Sequence, residues 1–129
     1  MQSRQLEKWH AYHIWCPHYK PPHHQKCVCV CPHCQWFLYI NSEPPPSRKT
    51  RELSITLSSY EASFLTHASH VYPAPHTFPP GYVEESLTDE KNYLGPVGPS
   101  LVKRLKEMLA TNPTLNDAQK SILEDGSGS

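Results

Sequence analysis

Five cysteines and six of the nine histidines fall within the first 34 residues of this 129-residue chain. They are Cys16, Cys27, Cys29, Cys31 and Cys34, with His10, His13, His18, His23, His24 and His33. Thiolate and imidazole are the usual ligands of tetrahedral zinc. The most specific unit is Cys31-Pro32-His33-Cys34, because a C-x-x-C turn brings two sulfurs onto one ion with the turn's amides facing them. A second close pair, His67-x-x-His70, follows downstream. Cys31, Cys34, His67 and His70 are therefore the expected first site. Cys27-Val-Cys-Val-Cys31 alternates, and in an extended strand those cysteines share a face about 6.6 Å apart. Sulfurs on one zinc lie nearer, about 3.8 Å apart for bonds of ~2.3 Å. The leftover thiols point to a second ion drawing on Cys16, Cys27 or Cys29 with His18, His23 or His24. Alternatively Cys29 pairs with Cys34 as C-x4-C and leaves Cys31 free. The expected cofactor is one or two Zn2+ ions.

Composition agrees with a stapled fold. Hydrophobic residues make up 37% and there are 14 prolines, a thin core for the length, and such chains lean on disulfides or metal. An odd cysteine count does not pair off. Met1–His10 has no apolar run of the signal-peptide kind, so a reducing compartment, the nucleus first, is expected. No stretch reaches the ~18 apolar residues of a membrane span. Net charge is zero, but residues 1–51 hold seven Lys/Arg against Glu7 and Glu43, whereas residues 52–129 hold five against ten acids. That asymmetry suggests a basic end able to meet a polyanion.

The elements that must carry these groups are fewer. Leu6, Trp9, His13 and also His10 could share one helical face. Gln35–Ile40, rich in aromatic and β-branched residues, reads as a buried strand. Glu52–Leu57 alternates, with Leu53, Ile55 and Leu57 on one face, and reads as a second strand. Together they predict an antiparallel hairpin whose long tip carries Arg48, Lys49 and Arg51. Residues 73–99, rich in proline, read as irregular connection. Ser100 is a candidate N-cap for a helix with Leu101, Val102, Leu105, Met108 and Leu109 on one face, ended by Asn112-Pro113. Thr114 could cap a short helix from Leu115 to Glu124. The expected organisation is one zinc-binding domain over 1–125, with a Cys/His-rich β core at about 10–72, the connection 73–99 and a helical tail 100–125. Residues 126–129 read as a flexible Gly/Ser tail. The expected class is α+β, a small zinc-stabilised antiparallel sheet centred on a hairpin and followed by C-terminal helices.

A paired-Cys turn, a β-hairpin and a close His pair resemble the WRKY/GCM-like zinc fingers, which include WRKY, glial-cells-missing and FLYWCH-type domains. The matching residues are Cys29 or Cys31, Cys34, the runs 35–40 and 52–57, and His67 with His70. The tail Ser100–Leu123 looks like helices that trail such domains in transposon-related proteins. No WRKYGQK-like strand is present, and the pair is H-x-x-H where the group more often has H-x-H. The resemblance implies binding of double-stranded DNA through a β face or hairpin. Arg48, Lys49 and Arg51 would then meet phosphates, Lys20 and Lys26 would extend the stripe, and Lys103, Arg104 and Lys106 would form a second patch. The alternative is a zinc-stabilised protein-interaction adaptor using the Pro-rich segments or the C-terminal helices. No H-E-x-x-H and no H-x-E occurs, so an enzyme is not expected, and a thioredoxin-like reading of C-x-x-C lacks its βαβ context.

Overall fold

The computed structural model describes residues 4–124. The expected tail at 126–129 lies outside them. The described chain is α+β. Strands β1 (His10–Cys16), β2 (His23–Cys31), β3 (Trp36–Asn41), β4 (Ile55–Leu57), β5 (Ser69–Val71) and β6 (Tyr93–Pro96) form one curled antiparallel sheet in the order β4-β5-β3-β2-β1-β6. Helices α1 (Arg48–Leu53), α2 (Tyr82–Ser86), α3 (Pro99–Thr111) and α4 (Asp117–Glu124) complete it.

The sheet is built on β2, whose side chains alternate between two cores. Val28 and Val30 pack with Ala11, Leu38, Ile40, Leu57 and Val71 against Leu101, Leu105, Met108 and Leu109 of α3. Cys27 and Cys29 pack on the other face with Tyr12, Ile14, Cys16 and Phe37, beneath Phe78, Val83 and Leu87. Buried thiols act here as small apolar side chains. The α3 residues sit at the expected i, i+4, i+7, i+8 spacing. The helix, however, is capped by Gly98 with Pro99 at its first position, not by Ser100. A proline there loses nothing, because its missing N–H would have no helical partner.

Five expectations about elements are corrected. Leu6, Trp9, His10 and His13 do not share a helical face, because residues 10–16 form β1, with Tyr12, Ile14 and Cys16 buried on one side. Glu52–Leu57 is a strand only from Ile55. Ser47 caps α1 by accepting from the Thr50 N–H, and the Ser54 N–H and hydroxyl both close onto the Arg51 carbonyl. The expected hairpin is absent: β5 lies between β3 and β4 and pairs with both. Residues 73–99 are not wholly irregular, because α2, a 3-10 turn (Glu90–Asn92) and edge strand β6 lie within them. The last helix starts at Asp117 rather than Leu115, where Asn116 and Gln119 exchange side-chain-to-backbone hydrogen bonds.

Asn112 ties the helices to the connection. It is fully buried, donates to the Pro73 carbonyl at 3.0 Å and accepts from the Thr114 N–H at 2.9 Å and hydroxyl at 2.7 Å. Asn112→Ala strands the buried Pro73 oxygen, and a buried group without a partner costs about 1–3 kcal/mol. Urea unfolding should show that loss in the midpoint, with the slope unchanged.

Candidate functional site

The C-x-x-C element forms the β2–β3 turn. The Gln35 N–H donates to the Pro32 carbonyl at 3.2 Å, and Gln35 takes a left-handed φ of 53° so that Trp36 can pair back onto Cys31. The Cys34 N–H donates to the Cys31 sulfur at 3.3 Å. The neighbouring Cys31 sulfur and partial burial raise the Cys34 pKa. Cys31 is 2% exposed, Cys34 partly exposed and His33 exposed. This much of a two-sulfur clamp is present.

The His pair does not join it. His70 faces Asn41 across β5 and β3, whereas Cys31 faces Trp36. Trp36 and Asn41 are opposite ends of one strand, about 17 Å apart at ~3.3 Å per residue. A zinc–ligand bond is ~2.0–2.3 Å. His67 lies before β5, in contact with the Thr66 hydroxyl at 3.0 Å, and His70 contacts the Thr56 hydroxyl at 3.3 Å. The site expected from Cys31, Cys34, His67 and His70 is therefore split by the insertion of β5.

The second expected set is dispersed too. Cys16 donates its thiol to the Ile14 carbonyl at 3.3 Å, and Cys27 donates to Tyr12 at 3.6 Å. Burial drives the Cys27 pKa well up and that of Cys29 to about 12. His24 lies on the opposite face of β2 from Cys27, beside Trp15 and His13 at ring separations of 5.0 and 5.6 Å. His18 and His23 flank Tyr19 instead. Among the described residues, no group of three or more Cys, His, Asp or Glu side chains is placed to hold a metal.

The basic stripe is likewise redistributed. Arg48, Lys49 and Arg51 lie on α1 rather than at a hairpin tip. Arg51 donates to the carbonyls of Pro45 and Pro46, and Arg48 pairs with Glu52 at 3.3 Å. Lys26 turns inward to the Phe64 carbonyl at 2.9 Å, and burial lowers its pKa. Arg104 binds Glu61 at 2.6 Å, pinning α3 to the turn after β4. Lys20 stays in the exposed β1–β2 turn.

Two surfaces stand out that motif reading did not assemble. One is the end of the β1–β2 hairpin. Pairing with β3 stops at Lys26–Ile40 and pairing with β6 at Tyr12, so residues 15–24 extend past both neighbouring strands, backed by α2 through the Trp15 N–H on Ser86 and His18 against Tyr82. On this arm Trp15 is 40% exposed, with His24 and His13 beside it. The signal was the alternation His13, Trp15 against Ile14, Cys16, masked by the metal-like composition. The other is a cleft of about 830 Å³ between residues 6–10 and the last two helices. Leu6, Trp9, Leu109 and Leu123 give it apolar walls, and Lys106, Glu107 and Lys120 are among its charges.

His13 is half-buried, and burial first, then Lys26 and His24, lower its pKa. The fold thus prefers neutral His13. Its contribution to stability is full above the ordinary histidine pKa of about 6.5 and is lost as pH falls below that towards the lowered folded value. NMR titration should give His13 a midpoint below 6.5, and His13→Gln should flatten the acid side of the stability profile. His76, whose pKa burial also lowers, would supply the remaining slope. No family's sequence pattern, no curated protein and no solved structure matches the chain.

Proposed function

We propose that this chain is a nucleic-acid-binding module whose contact surface is the overhanging β1–β2 arm. The observation that carries the reading is the exposed Trp15 ring with His24 and His13 beside it on one face of a projecting hairpin. Aromatic side chains held on strands offer stacking platforms for unpaired bases. This favours a single strand over the major groove of a duplex, which the expected hairpin tip would have entered. Phosphate contacts fall to Lys20 in the arm's turn and to Lys49 on α1, which leaves the sheet from the same end. With zero net charge and few cations engaged, the salt dependence is shallow, because its slope scales with the phosphates neutralised.

A second reading, a protein-interaction module, is favoured by the cleft. Its volume of about 830 Å³ lies within the usual range for ligand sites. Its apolar walls between Lys and Glu side chains suit a short segment with an apolar side chain and flanking charges.

Titration of a short dye-labelled single-stranded oligonucleotide, followed by the anisotropy of the dye, separates the two. Trp15→Ala should weaken binding about 5- to 150-fold, the equivalent of ~1–3 kcal/mol per stacked base. Ala110→Trp, which fills the cleft, should leave it unchanged. Equal affinity of Trp15→Ala and wild type would sink the nucleic-acid reading. Loss of binding with Ala110→Trp alone would move the site to the cleft.

A further inference from the structure

We infer that Cys31 and Cys34 form a thiol–disulfide exchange site, open to low-molecular-weight disulfides at Cys34 and closing to an intramolecular disulfide with Cys31. The turn folds Cys34 back onto Cys31, so that the Cys34 N–H donates to the Cys31 sulfur at 3.3 Å. A disulfide between them needs the sulfurs at about 2.05 Å, a closure between two cysteines that one tight turn holds together. Exposure makes the pair asymmetric. Cys34 is partly exposed, whereas Cys31 is covered. The other three cysteines are fully buried in the core beneath Phe78, and two of them donate to strand carbonyls. One sulfur of five therefore meets an outside reagent, and one other lies where it can resolve the product.

The step balances without a further reactant. Cys34 loses its proton to water, and its thiolate attacks one sulfur of the small disulfide. That S–S bond breaks, and one small thiolate leaves and takes up a proton. Cys31 then loses its proton and attacks Cys34 Sγ, expelling the second small thiolate. Two protein thiols are oxidised to one disulfide, and one small disulfide is reduced to two thiols. The neighbouring Cys31 sulfur and partial burial raise the Cys34 pKa, so exchange is slow beside that of oxidoreductase C-x-x-C pairs. This is a modification site, not a catalytic one.

The test incubates the native protein with oxidised glutathione and follows intact mass and peptide maps. The wild type should lose the mass of two hydrogen atoms, with the new bond mapped to Cys31–Cys34. Cys31→Ser should instead gain one stable glutathione on Cys34, and Cys34→Ser should slow all modification at least tenfold. If a variant fails to fold, alkylation of the folded wild type under acid quench gives the same answer. Cys34 should label first, and a short-lived glutathione adduct should map to it. A lasting adduct on wild-type Cys34, first labelling at Cys16, Cys27 or Cys29, or no reaction under oxidising glutathione would overturn the proposal.

Discussion

Burial of β2 on both faces is the constraint from which the rest of the fold follows. A strand with Val28 and Val30 on one side and Cys27 and Cys29 on the other has no face left for water. Strands must flank it on both edges, and separate layers must cover both faces. One layer is α3 with α4. The other is the Pro-rich run carrying Phe78 and α2. That run is anchored to the sheet by paired backbone bonds between Phe37 and His76, at 2.9 and 2.8 Å. The one polar side chain in the buried part of β2, Gln25, accepts from the Tyr19 hydroxyl and donates to the Ile40 carbonyl and Asn41. A buried amide satisfied on both ends does not pull the strand towards solvent.

The chemistry-bearing groups are therefore separated by the sheet. The thiol pair occupies the turn at one end of β2 and β3. The aromatic and histidine arm projects from the other end, and the cleft lies along the helices. Each group is set by local turn or strand geometry, while β2 and β3 fix the distances between them.

Local patterns in the sequence were sound guides, and the pairings between them were not. The amphipathic run in α3 and the aromatic run in β3 gave their elements almost to the residue, because periodicity is set by which face is buried. The α+β class and the C-terminal helices were legible for the same reason. Glu52–Leu57 misled because Leu53 continues the strand alternation while serving as the last residue of α1, where a Ser47 cap decides the backbone. The insertion of β5 between β3 and β4 was not legible, because Ser69–Val71 is three residues long and has no period of its own. That short strand is what parts Cys34 from His70. The cysteines read two ways: burial makes a thiol look like alanine or valine to the core, while composition alone makes it look like a ligand.

The two outermost strands carry a further consequence. β4 has three residues, and β6 has four, including Gly95 and Pro96. An open edge of free N–H and C=O groups invites another chain to add a strand, and a short edge interrupted by proline discourages it. The Val- and Cys-rich run of β2 combines high β propensity with no charge beyond Lys26, the composition of a cross-β segment. Kept in the middle of the sheet behind two truncated borders, it has no free side on which to template a neighbour. The liability of this chain thus lies before the borders close, while β2 is still exposed during folding.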